Sequence, residues 1–147
     1  MKILVCVDGS VQCQNVIQEA AKMAKLMQEV ELTLLYVAKE IEANYGEDYK
    51  RQEEHKKKVE QENKQEGREV LEAAEEYYAE RGIEINKALK KGDPATVITE
   101  YAEDNEYDLI MIGNRGESGI KKFLLGNVSE AVAQKASTNV LITKCKL

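Results

Sequence analysis

A single histidine, a single proline, a single phenylalanine and no tryptophan stand among the 147 residues. One histidine, His55, cannot assemble a Ser/His/Asp set, a Cys/His pair or a histidine-based metal cluster. It lies inside a run of charges, where a solvated surface position is the ordinary outcome. So few aromatics supply poor stacking platforms for single-stranded nucleic acid. A broad basic field is also missing: 21 Lys+Arg face 27 Asp+Glu, a net charge of −6. General binding of a nucleic-acid backbone is therefore not expected, although one positive loop can still hold a small anion. No apolar run is long enough to span a bilayer, and the opening segment reaches Asp8 before a signal-peptide core can form. These features predict a cytoplasmic protein with no membrane partner. Three cysteines, Cys6, Cys13 and Cys145, are odd in number and lack CxxC or metal spacing. They read as three reduced thiols, and no metal site is expected. Neither the GxxxxGK phosphate loop nor a GxGxxG after a first strand is present.

What is present is an alternation of short apolar runs and helical patterns. Lys2–Val7 is nearly all apolar and β-branched, as suits a strand buried on both faces. Ser10 stands where it can cap a following helix, whose apolar face is Val16, Ile17, Ala20, Ala21, Ala24 and Met27. Strands follow at Glu31–Val37 and, more weakly alternating, at Ile83–Leu89. Gly92-Asp93-Pro94 opens a helix with Asp93 as cap and Pro94 in its first turn, and Val97, Ile98, Tyr101 and Ala102 as its apolar face. The fourth strand is Tyr107–Ile112. A glycine-bearing loop runs from Gly113 to Gly126, a helix from about Val128 to Lys135, and a fifth strand from Asn139 to Cys145. Alternation of this kind predicts an α/β fold, one domain over residues 1–147 with a doubly wound parallel sheet and helices on both faces.

Residues 39–69 depart from the pattern, with eight Lys/Arg and ten Asp/Glu whose signs nearly cancel. Glu53–Lys57, Glu54–Lys58 and Glu60–Lys64 have the helix-supporting i,i+4 order. Val70, Leu71, Ala74, Tyr77 and Tyr78 follow as an apolar stripe. The segment reads as part of one long helix, solvated in its first half and packed on the sheet in its second.

Chemistry concentrates at two loops. In an open parallel sheet, ligands bind beyond the carboxyl ends of the strands, where the strand order reverses. Asp8 leaves the first strand, and it is either a turn former or an acceptor for ribose hydroxyls. Gly113-Asn114-Arg115-Gly116 leaves the fourth. Gly113 and Gly116 permit close backbone approach to an anion, Arg115 adds a fixed positive charge, and Gly126-Asn127-Val128-Ser129 opens a helix whose free N–H groups form a second anion receiver. The same glycines are equally explained as turn-forming and helix-capping residues.

The segments KILVCVDGS, YDLIMIGNRGESGIKKFLLGNVSEAVAQKA and STNVLITK resemble the universal stress protein domain over essentially the whole chain. Gly113, Gly116 and Gly126 fall on the glycines of that family's nucleotide signature, G-x2-G-x9-G followed by Ser or Thr, with Asn127 in the place of the hydroxyl residue. The resemblance implies strand order 3-2-1-4-5 in an adenine nucleotide alpha hydrolase-like fold. It also implies ATP between the loops after strands one and four, and a homodimer through strand five, Asn139 to Cys145. It places Asp8 at the ribose, Val37 at the adenine edge, and Val7 and Ile112 in the binding crevice. The amides of Gly113, Arg115, Gly116, Gly126, Asn127, Val128 and Ser129 would hold the phosphates, assisted by the Ser129 hydroxyl, with Mg²⁺ bound only through the phosphates. Asn127 removes at most one neutral hydrogen bond, about 0.5–1.5 kcal/mol, and leaves the amides in place.

The expected function is that of an ATP-binding regulatory module of the stress response, not an enzyme, since no histidine base is at hand and Asp8 is placed for ribose. Nucleotide occupancy would bias a dimer or the contacts with a protein partner of unknown identity. The alternatives are a nucleotide-free dimeric interaction protein, using the charged helix or the last strand, and a slow Mg²⁺-dependent ATPase.

Overall fold

The computed structural model describes residues 1–10, 14–41, 48–114 and 127–145. Among the described residues, five strands, β1 (Lys2–Cys6), β2 (Glu31–Ala38), β3 (Ile85–Lys91), β4 (Leu109–Gly113) and β5 (Asn139–Thr143), alternate with four helices. These are α1 (Asn15–Leu26), α2 (Tyr49–Ala79), α3 (Pro94–Asp104) and α4 (Asn127–Lys135). The sheet order is β3-β2-β1-β4-β5 and every pairing is parallel, as the sequence predicts. Ile3 lies opposite Leu32 on one side and Leu109 on the other, so β1 is the middle strand.

Because side chains alternate along a strand, the apolar run of β1 serves two cores. Ile3, Val5 and Val7 join Leu34 and Tyr36 of β2 under α1 and α2, where Val16, Ala20, Leu71, Ala74 and Tyr78 are buried. Leu4 and Cys6 join Leu35, Ile110 and Ile112 under α3 and α4, with Ile98, Ala102 and Val132. Two polar contacts lock these layers. The Tyr78 hydroxyl donates to the Ile17 carbonyl at 2.8 Å, joining α2 to α1. The buried Tyr107 and Thr33 hydroxyls meet at 2.8 Å, tying the entry to β4 to β2.

Helix boundaries follow local chemistry. Asp93 caps α3 as expected, its Oδ2 accepting from the Thr96 N–H at 3.1 Å and from the Thr96 hydroxyl at 2.8 Å. Those bonds hold the Asp93 carboxyl below its usual pKa. Ser10 does not cap α1, which starts at Asn15 behind Gln14 with no side-chain cap. The Ser10 N–H instead donates to Asp8 Oδ1 at 2.9 Å, spending these residues on a turn. On α1, Met27 is the C-cap, and Met23 packs on the core in its place. At the end of α2, Gly82 takes φ +69 and the Ile83 N–H returns to the Tyr78 carbonyl at 3.0 Å. Ile83 thereby closes a helix end, and β3 begins two residues later than the sequence pattern suggests. Tyr107 lies before β4 for a related reason: the Asp108 carboxylate accepts the Lys2 N–H at 2.7 Å, and pairing begins only at Leu109.

The charged segment enters α2 at Tyr49, and this helix is packed in its second half. Among the described residues, the expected pairs Glu53–Lys57, Glu54–Lys58 and Glu60–Lys64 do not close to ion-pair distance. Glu60 Oε2 instead takes Lys91 Nζ, at the end of β3, at 2.8 Å. His55 is exposed. Cys6 is a buried free thiol, whereas Cys145 is disulfide-bonded, correcting the expectation of three reduced thiols. The backbone around Cys145 is anchored independently of its sulfur. Its N–H donates to Asn114 Oδ1 at 2.6 Å, and the neighbouring Lys144 carbonyl accepts from Asn15 Nδ2 at 2.7 Å.

Candidate functional site

The chain leaves β1 toward β2 on one side and returns through β4 on the other, so the helices diverge and a crevice opens beyond the strand ends. A cavity of about 710 Å³ occupies it, within the range of small-molecule sites. The carboxyl ends of β1, β2 and β4 form its floor through Cys6 and Val7, Leu35 to Val37, and Ile112 and Gly113. Pro94 and Ile98 of α3 and Val128 and Ser129 of α4 close one side, while α1 and α2 close the other.

Asp8 lines this cavity at the exit of β1. It is a turn former, its Oδ1 accepting from the Ser10 N–H at 2.9 Å, on a residue that also lines the open space. Gly9 follows at φ +81, and a Cβ there would meet Val70 Cγ2 of α2 at 2.8 Å. The turn is thus pressed against α2 and only glycine fits it. On β2, the Leu35 carbonyl accepts the Val7 N–H and the Ala38 carbonyl accepts the Gly92 N–H, both at 3.0 Å. Alternation along the strand therefore turns the backbone groups of Val37 to the β1 side, one step past the Val7–Leu35 bond, where β1 has ended. Ser129, in the first turn of α4 and 2% exposed, lines the same cavity with Val128, which places the N-terminal turn of that helix on it.

Seven of the residues singled out in the sequence, Val7, Asp8, Val37, Ile112, Gly113, Val128 and Ser129, are thus brought together on one cavity. Arg115, Gly116 and Gly126 lie outside the described residues. Asn127 opens α4, and its side chain lies outside them too. Sequence patterning missed Cys6, Leu35, Pro94 and Ile98, whose apolar character signalled only core, and Asn63, Glu66 and Val70 of the charged helix. For these last three the available signal was the i, i+3, i+7 spacing of 63, 66 and 70, hidden among charges.

The titratable side chains among the described lining residues are those of Cys6, Asp8, Tyr36, Lys39, Glu66 and Tyr77. Burial pushes the Cys6 thiol up to about 12, so it stays protonated and unreactive at neutral pH. No group of three or more His, Cys, Asp or Glu that could hold a metal ion occurs among the described residues. No helix among them is long and apolar enough to cross a membrane.

The profile of the universal stress protein family matches residues 1–144. Universal stress protein YxiE of Bacillus subtilis is 35% identical over 151 aligned positions, covering 97% of this chain and 98% of that protein. The solved structure of MJ0577, a universal stress protein of Methanocaldococcus jannaschii, superposes with a TM-score of 0.82 at 27% identity, covering 99% of this chain and 96% of that one. Three solved structures at 22% identity share the fold. They are an Arabidopsis thaliana family member with AMP bound (TM-score 0.71), the Archaeoglobus fulgidus protein with dAMP (0.69) and a universal stress protein with cAMP (0.65). Each covers 97–99% of this chain and 92–96% of its own.

Proposed function

The chain belongs to the universal stress protein family, and from that premise we propose that its crevice binds an adenine nucleotide, ATP foremost, and that the protein is a regulatory module of the stress response. The observation that carries this is the meeting on one cavity of Asp8, the Val37 backbone and the N-terminus of α4 with Ser129. These supply, in turn, a carboxylate for ribose hydroxyls, backbone groups for a base edge, and N–H donors for phosphate. Leu35, Ile98 and Ile112 line the same cavity and would offer a flat ring apolar contact. The Val37 carbonyl is an acceptor suited to the 6-amino group of adenine and repelled by the 6-oxo group of guanine. The phosphates would rest on the amides of Gly113, Arg115, Gly116, Gly126, Asn127, Val128 and Ser129, with Mg²⁺ entering only as their counter-ion.

The protein acts as a nucleotide-dependent switch for a protein partner, not as an enzyme. Asp8 already holds the turn through Ser10, and the Cys6 thiol is protonated, so neither is a ready base for water. Residues 1–147 act as one domain in the cytoplasm and pair as a homodimer through β5, on whose edge Leu141 is 40% exposed. Light scattering at high protein concentration should give twice the monomer mass, and a monomer would remove the dimer.

A thermal unfolding series with Mg-ATP, AMP and GTP tests the central claim. An adenine nucleotide at about 100 times its Kd should stabilise the fold by about 2.7 kcal/mol. The gain should vanish in a Gly116→Val, Gly126→Val double variant and be far smaller for GTP. A folded protein that shows no shift at millimolar adenine nucleotide would refute the proposal and favour a nucleotide-free interaction protein. Phosphate release at several turnovers per second, lost with chelator, would instead make it an Mg²⁺-dependent ATPase.

A further inference from the structure

The cavity has two wings, and the nucleotide assignment uses only one. Cys6, Leu35, Val37, Ile98, Ile112 and Val128 belong to the core under α3 and α4. The other wing continues over the opposite face of the sheet, between α1 and α2, where Ile17, Val70 and Tyr77 pack on the other core yet are only half-buried, and Ala73 is exposed. Two helices that close a core normally cover such side chains, so this is an apolar strip left open inside a cavity.

Its polar complement is specific. Ser10 lines the wing, and its Oγ is buried with no hydrogen-bond partner among the described residues. A buried hydroxyl without a partner is costly unless something supplies one. Glu66 stands beside it: its Oε1 lies 3.8 Å from the point where a Cβ on Gly9 would sit, and it makes no ion pair among the described residues. Gln14, Gln18 and Asn63 add carboxamides. Among the described lining residues of the whole cavity, two carboxylates, Asp8 and Glu66, face one ammonium, Lys39. Two cations near Tyr77 are no part of the described lining: Arg81 stacks on its ring at 3.5 Å, and Lys22 is paired with Glu19 at 2.8 Å. Aliphatic walls, an aromatic ring and a carboxylate with no ion pair among the described residues together complement a small apolar molecule with a cationic donor, and they repel its anionic counterpart.

We propose that the α1–α2 wing is a second ligand site, contiguous with the nucleotide subsite, that takes a small primary amine with an apolar body. The ammonium is received by Glu66, beside the Gly9–Ser10 turn, and the body lies along Ile17, Val70, Ala73 and Tyr77. A nucleotide-binding protein with such a wing responds to two chemically distinct signals through one crevice.

The test titrates 2-phenylethylamine into the full chain and follows backbone amide shifts, beside 3-phenylpropanoate, which has a similar body and the opposite charge. The amine should bind with a Kd of about 1 mM, as a fragment of that size does, and the acid at least about tenfold more weakly. Glu66→Gln should bring the two together. Ala73→Phe, which fills the wing from an exposed position, should weaken the amine about fivefold or more while leaving its preference over the acid intact. Saturating AMP should leave amine binding in place. No amine binding up to 10-fold above the expected Kd of about 1 mM, equal binding of acid and amine to the unmodified chain, indifference to Ala73→Phe, or displacement of the amine by AMP would each overturn the proposal. AMP is titrated separately, so loss of the nucleotide reading with the amine retained leaves this site standing, and the reverse result removes it alone.

Discussion

From Gly67 to Ala79, helix α2 is held by shape. Gly67, Leu71, Ala74 and Tyr78 are buried, and the helix lies so close to the sheet that a Cβ on Gly67 would sit 2.6 Å from Tyr36 Cδ1 and 2.7 Å from Leu89 Cδ1. From Tyr49 to Glu66 the same helix buries no residue, and charge holds it instead. Lys91 Nζ reaches Glu60 Oε2 at 2.8 Å and lies 4.0 Å from Glu40, while Lys56 lies 4.0 Å from the other Glu60 oxygen. The first kind of contact fixes position to fractions of an ångström and is indifferent to pH and salt. The second holds a direction and yields to both. Yet the charge-held half and its junction carry Asn63 and Glu66 to the cavity, so the walls of the crevice differ in stiffness by construction.

Three substitutions sharpen or break that contrast. Tyr78→Ala empties a fully buried aromatic site and orphans its bond to Ile17. It should destabilise the fold by about 3–5 kcal/mol in urea denaturation, the range for large aromatic-to-alanine changes. A loss below about 1 kcal/mol would show that the second half of α2 is not held by packing. Gly67→Ala sets two effects against each other. Alanine is worth up to about 1 kcal/mol as a helix former, but overpacking against Tyr36 and Leu89 costs about 1–3 kcal/mol. The net result should be a loss of about 1 kcal/mol with the Tyr36 ring displaced, whereas a gain would mean that the helix is free to lift. Lys91→Met has the smallest effect, on an exposed pair, and it should appear as faster amide exchange over residues 49–66 with little change in global stability.

The pH dependence of that pair has a definite sign. The hydrogen bond from Lys91 holds the Glu60 carboxyl below its usual value, so the contribution is complete above the ordinary glutamate pKa of 4.5 and is lost as pH falls through the lower folded-state value. Lys91 is raised by the same bond, so its contribution is complete below the ordinary lysine value of 10.5 and fades as pH climbs past it. Protection of the amides of residues 49–66, taken relative to their intrinsic exchange rate at each pH, should therefore fall in acid in the unmodified chain. In Lys91→Met it should lose that acid sensitivity, and if it does not, another contact holds the helix.

The two halves of α2 also mark how far sequence reaches. Where burial follows a period, as at Leu71, Ala74 and Tyr78 or at Ile3, Val5 and Val7, periodicity places the residue on the right face. The resemblance adds strand order, which pattern alone leaves open. Boundaries slip where one side chain takes a local job: Ile83 closes a helix that its β-branched character assigns to a strand, and Ser10 joins a turn that its hydroxyl assigns to a cap. The site divides in the same way. Asp8 and Val37 are legible as cavity-lining residues because they stand at strand ends, and Ser129 because it opens a helix beside the family motif. Asn63 and Glu66 are not, because in a run of alternating charges the few that face inward look like the rest. The partner of Glu60 is equally hidden, since Lys91 lies 31 positions away and local pairing rules favour Lys64.

The middle position of β1 has a consequence for the making of the protein. Its seam with β2 closes once Ala38 is available, but its seam with β4 joins residues as far apart as Lys2 and Asp108, 106 positions away. A ribosome adding about 5–20 residues per second needs roughly 4–15 s to pass from Ala38 to Gly113. For that interval a strand with four apolar residues in five has one unpaired edge, with its donors and acceptors open to any extended segment nearby. The newborn protein is thus most exposed to misassociation between its second strand and its fourth, and the speed of translation across the charged helix sets how long that exposure lasts.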